Sequence, residues 1–81
     1  MVAWGMPTVL RVDGLRVVIY PNDHLPAHVH VLGPGWVVVV ELLGPEVREA
    51  IGCGEREARQ VLRLIVRHPE ALLEAWRGFH G

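Results

Sequence analysis

Gly33-Pro34-Gly35-Trp36-Val37-Val38-Val39-Val40-Glu41-Leu42 is the stretch whose reading decides the fold. Four consecutive valines carry no helical period. A β-branched run entered through Gly-Pro-Gly and followed by Gly44-Pro45 reads as a strand covered on both faces, at the centre of a sheet. The Gly-Pro-Gly turn joins it to a preceding strand over residues 28–32.

Working back toward the N-terminus, residues 8–12 are short and β-branched, and Asp13-Gly14 is a tight-turn signal before a second strand over residues 15–20. In that strand Leu15, Val17 and Ile19 share one face, and Arg16, Val18 and Tyr20 share the other. Residues 21–27 form a loop. Toward the C-terminus, residues 46–51 read as a short edge strand with Val47, Glu49 and Ile51 on one face, helix being the alternative. From Glu55 the period changes: Ala58, Val61, Leu62 and Ile65 fall at helical spacing, with Gly52 and Gly54 at the entry. His68-Pro69 interrupts, since proline suits a first helical turn and disfavours helix at the residue before it. A second helix over residues 70–79 carries Leu72, Leu73, Trp76 and Phe79 as its apolar stripe. The expected architecture is α+β: a small antiparallel β-sheet of four or five strands followed by two C-terminal helices packed on one face. Its expected core is Val17, Ile19, Val38, Val40, Val61, Leu62, Ile65, Leu72 and Trp76.

The whole chain has 81 residues, enough for one modest core. Its 51% hydrophobic and 21% charged composition is that of a folded domain. All eight basic residues are arginine, and the chain has no lysine or serine. The formal net charge of −1 argues against a strong nonspecific grip on nucleic acid, although a local basic face stays open. A single cysteine, Cys53, excludes an intramolecular disulfide and fits a reducing, cytoplasmic location. No apolar run approaches the roughly 20 residues of a membrane span, and no signal peptide is visible. Residues 1–5 give little pattern and read as a disordered extension, or a misassigned start, ahead of a single domain over residues 6–81.

The chemistry-bearing segment is Asn22-Asp23-His24-Leu25-Pro26-Ala27-His28-Val29-His30-Val31. Strand alternation puts His28 and His30 on one face, and Pro26 restricts where the loop can carry His24. One reading is a metal site, zinc or another divalent transition metal, held by His24, His28 and His30 with Asp23 nearby. A second is acid–base catalysis such as RNA cleavage: one imidazole takes a proton, another gives one, and Arg16 or a helix arginine holds the phosphate. Imidazoles this close repel when both are charged, so at least one is expected to titrate below its usual value of about 6.5. The third reading, favoured here, is structural or interaction-bearing: Asn22, Asp23 and the histidines hydrogen-bond the loop and form a surface for a partner or nucleotide. Arg56, Arg59, Arg63 and Arg67 recur at spacings of three and four, a basic stripe that suits phosphate or an acidic partner but also suits an ordinary solvated face. Trp76 and Phe79 read as core, Cys53 as a poor nucleophile, and His68 as a helix-end residue meeting terminal carbonyls.

With these residues laid out, the chain resembles a family of short bacterial proteins known as domain of unknown function 4160. The resemblance is carried by Met6-Pro7-Thr8-Val9-Leu10-Arg11, by the histidine segment and by Leu72-Leu73-Glu74-Ala75-Trp76. Members typically have Asn-Asp/Glu-His-x-Pro-Pro-His-x-His, so Ala27 stands where a second proline is usual. Many also carry a basic residue and an aromatic in the central strand, where this chain has valines. The resemblance implies a place in toxin–antitoxin-like gene pairs, with no biochemical activity attached to the family. The expected function is therefore a regulatory or interaction component of such a pair, working as a homodimer or with a small partner protein encoded nearby. The alternatives are a small His-dependent nuclease-type toxin or a metal-binding domain.

Overall fold

A computed structural model describes residues 8–12, 14–20 and 24–80. The segment at residues 1–5, read above as an extension, lies outside them, as do Asn22 and Asp23. Five strands run in the order of the chain: β1 (Thr8–Val12), β2 (Leu15–Ile19), β3 (His28–Gly33), β4 (Trp36–Glu41) and β5 (Glu46–Ile51). They form one antiparallel sheet with each strand beside its sequence neighbour. Two helices follow, α1 (Glu55–Ile65) and α2 (Pro69–His80). The chain is an α+β fold in which both helices pack against the sheet, and none of the described helices is long and apolar enough to cross a membrane.

Strand alternation sorts the side chains into two layers. Val17 pairs with Val31, Val31 with Val38, and Val29 with Val40, which sets these residues and Ile19 on one face. All of them are fully buried, and they form one cluster with Ala58, Val61 and Ile65 of α1 and Leu72 and Trp76 of α2. Each such aliphatic side chain withdrawn from water contributes about 1.5–3 kcal/mol, which is what fastens the helices to this face. Leu62 packs against the cluster from its margin. The opposite face carries Val18, His30 and Val39 in one row and Arg11, Arg16, Leu32 and Val37 in the next.

Three expectations are adjusted. The valine strand β4 is interior and buried on both sides at Val38, Val39 and Val40, but it lies one strand from the edge; β3 takes the centre. Residues 46–51 are the edge strand, not a helix, but their alternation is broken. Val47 pairs with Val40 and Glu49 with Val39, so Arg48 is an extra residue in a bulge and Val47 faces the core side while Glu49 and Ile51 face away. Arg67 falls past the end of α1, so the helical stripe ends at Arg63.

The local signals act as their chemistry demands. Gly35 takes φ +78° after Pro34, the proline-then-glycine pattern that closes β3 onto β4 in a tight turn. At the entry to α1 the Gly54 N–H donates to the Glu57 carboxylate at 3.2 Å. The His68 carbonyl accepts the Leu72 N–H at 3.2 Å, and its own N–H donates to the Ile65 carbonyl at 3.0 Å. The helix-end role expected of His68 is thus visible in its backbone.

Gly33 and Trp36 face each other across the β3–β4 hairpin, and the indole occupies the volume that a Cβ at Gly33 would take. Gly33→Ala is therefore expected to push the indole off the strand, at a cost of about 1–3 kcal/mol. Urea denaturation reads the cost, and a shifted Trp36 indole N–H resonance reads the displacement.

Candidate functional site

His28 opens β3 and His30 follows two residues later, so the extended backbone stands their rings side by side, with centroids 5.4 Å apart. The His28 ring also lies 5.4 Å from Trp76 of α2, tilted at 48°. His30 in turn meets Tyr20 edge-on at 4.9 Å. The result is a row of four rings, Trp76, His28, His30 and Tyr20, leading from the helix layer to the end of β2.

His28 is only 5% exposed, the one buried polar side chain among the described residues. Its Nδ1 lies 2.8 Å from the Pro26 carbonyl. A carbonyl only accepts, so Nδ1 carries a proton and donates it to Pro26. The Leu25–Pro26 peptide is cis. The same Pro26 carbonyl faces Arg48 Nη2 at 3.5 Å, while Arg48 Nε donates to Glu41 at 3.0 Å. Glu41 is the cross-strand partner of His28. The bulge in β5 thus turns Arg48 toward the histidine loop, and the Leu42 N–H, bonded to the Ala27 carbonyl at 2.9 Å, ties that loop to the end of β4.

The expected site residues are divided by this arrangement. His28 and His30 are brought together; His24 is exposed in the loop. Among the described residues no three His, Cys, Asp or Glu side chains are grouped to hold a metal ion. Arg16 stands on the same face as His30, diagonally across the β2–β3 ladder, because Val18 is the residue opposite His30 and Leu32 the residue opposite Arg16. Arg56, Arg59 and Arg63 are exposed along α1 and form no ion pair among the described residues. Sequence reasoning passed over Arg48, Glu41 and Tyr20 as neighbours of the histidines. The carboxylate and the phenol follow from register once the strands are aligned; Arg48 depends on a bulge that leaves no mark in the sequence.

These features define a small α+β domain with a His-x-His pair on its central strand, His28 buried and His30 half-buried. The chain belongs to the family described as Domain of unknown function (DUF4160), whose family model matches residues 14–77. That span opens in the β1–β2 turn and closes within α2, leaving residues 6–11 ahead of it. No curated protein and no solved structure is matched.

Proposed function

We propose that this protein is a small non-catalytic interaction module, the regulatory or partner-binding member of a toxin–antitoxin-like gene pair. The observation that carries the non-catalytic part is the enclosure of His28, packed between Trp76 and His30 with Nδ1 committed to Pro26. A general acid or base must reach the reacting atom, and a ring only 5% exposed offers a substrate little to touch. The loops at the same end of the sheet turn Leu25 and Leu43 outward, at 79% and 61% exposed, beside the Arg48–Glu41 pair. Large apolar side chains framed by charge make a protein-binding surface. The gene-pair part rests on the family resemblance, which supplies the partner: a small protein encoded alongside.

The test is co-expression with the product of the adjacent gene. A stable complex is expected, weakened about tenfold or more by Leu25→Glu with Leu43→Glu, since charge in a desolvated patch is costly. Expression alone should be harmless. Growth arrest relieved by His30→Ala or His24→Ala would transfer the reading to catalysis. A dimer by light scattering, lost in the double glutamate variant, would make a second copy of this chain the occupant. Stability supplies an independent check. His28→Ala is expected to cost about 2–4 kcal/mol, through the void it leaves and the lost hydrogen bond to Pro26, whereas exposed His24→Ala should stay within about 0.5 kcal/mol.

A further inference from the structure

We propose that the sheet face turned away from the helices is a self-association surface, on which a second copy of this chain packs face to face in a weak, reversible dimer. Both helices direct their buried residues at the other face; Trp76 also meets His28 at the loop end of the sheet. The middle of the remaining face is apolar. Val18, Leu32, Val37 and Val39 lie there on β2, β3 and β4, outside the core cluster that the helices cover. Val9 and Ile51, on the two edge strands, are 50% and 56% exposed. An antiparallel face that met only water would carry polar residues at these positions.

The charges choose the occupant. Arg11 and Arg16 face each other across β1–β2, on one flank of this face. On the other flank Glu41 and Glu46 face each other across β4–β5, and Glu49 follows beyond the bulge. Arg48 bonds Glu41, which leaves two exposed acids, Glu46 and Glu49, against two exposed arginines. None of these four forms an ion pair among the described residues. The face thus has a basic flank, an apolar centre and an acidic flank, a pattern complementary to itself. A twofold axis along β3 lays the basic flank of each copy on the acidic flank of the other. Arg11 then comes beside Glu49 of the second copy, one row away along the strand, about 7 Å and within the span of an arginine. An axis across the strands would set arginine on arginine, which repels. The contact is isologous, so it closes at two copies. Five strands about 4.8 Å apart and about five residues long give a face of roughly 400 Å² per copy, the low end for protein interfaces, so the dimer is weak. This surface is separate from Leu25 and Leu43 and stands independently of the partner-binding reading.

The experiment is sedimentation velocity of the full chain from about 10 µM to about 1 mM, with amide NMR spectra over the same range. A monomer–dimer equilibrium with a Kd of about 100 µM is expected, with concentration-dependent shifts at Val18, Leu32 and Val39 and none at Arg59 on α1. Arg11→Glu and Glu49→Arg should each weaken the dimer about tenfold, because the twofold axis repeats every change. Mixing the two variants, or combining both substitutions in one chain, should restore it. The Leu25→Glu/Leu43→Glu variant should dimerise as the unmodified chain does, which separates this surface from the partner-binding one. A chain that stays monomeric at about 1 mM would overturn the proposal. So would a dimer that both charge reversals leave unchanged, or one that Leu25→Glu/Leu43→Glu abolishes. If the product of the adjacent gene shifts Val18 and Val39 while the chain alone stays monomeric, the face belongs to that partner and the proposal falls. A monomer that dimerises only once residues 1–5 are removed would give the face to that segment, with the same consequence.

Discussion

Trp76→Ala is expected to remove about 3–5 kcal/mol of stability, the largest effect of any single truncation in the chain. Trp76 is 5% exposed and joins the cluster that binds α2 to the sheet. Loss of an indole leaves a void that Leu72 and Ile65, themselves fully buried, have little freedom to fill. A domain of this length holds roughly 4–12 kcal/mol in total, so the variant should be extensively unfolded at moderate urea concentrations. Urea denaturation followed by far-UV circular dichroism measures it. Trp76→Phe keeps a ring in the gap and should lose less than half as much. Because the indole is also a wall for the His28 ring at 5.4 Å, the Phe variant should shift the His28 ring resonances while the exposed His24 stays where it was. Unchanged His28 resonances would show that the helix does not position the imidazole.

The second large effect is expected at Gly52, which ends β5 and carries the chain toward α1. Its φ is +83°, a conformation that costs other residues, and a Cβ there would run into the carbonyl oxygen of Gly35 in the β3–β4 turn. Gly52→Ala therefore adds backbone strain to a collision with backbone, and is expected to cost about 3 kcal/mol or more. The contrast with Gly33→Ala is the informative part. At Gly33 the obstacle is a side chain, which can rotate away; at Gly52 it is main chain held by the neighbouring hairpin, which cannot. Equal losses in the two variants would contradict this account.

Both effects arise where separate parts of the chain meet, and there the sequence is least informative. Four strands and the two helices were legible because each announces itself locally, whereas residues 46–51 read as an edge strand with helix as the alternative. Val37 to Val40 cannot make an amphipathic helix, Pro34-Gly35 can only turn, and Ala58, Val61 and Ile65 recur with the helical period. The pairing of His28 with His30 was legible for the same reason, since two residues along a strand is one step along one face. Val17, Ile19, Val38 and Val40 of the core followed from the strand pattern and Val61, Ile65, Leu72 and Trp76 from helical spacing, while the fully buried Val29 and Val31 were passed over. The family followed from the histidine segment together with residues 6–11 and 72–76.

Tertiary structure decided what those residues face. Whether His28 was an open base or an enclosed ring depended on α2 bringing Trp76 against it, a contact across 48 positions of sequence. That Arg48 attends the histidine loop depended on one extra residue in β5, and a bulge is a property of a strand pair, invisible in either strand alone. The facing of Arg11 and Arg16 needed the hairpin register. Local propensity acts through a residue's immediate neighbours along the chain, so the sequence by itself determined the elements and their faces. Burial and electrostatic environment come from residues distant in sequence, so only the packed fold determined which side chains are free to act.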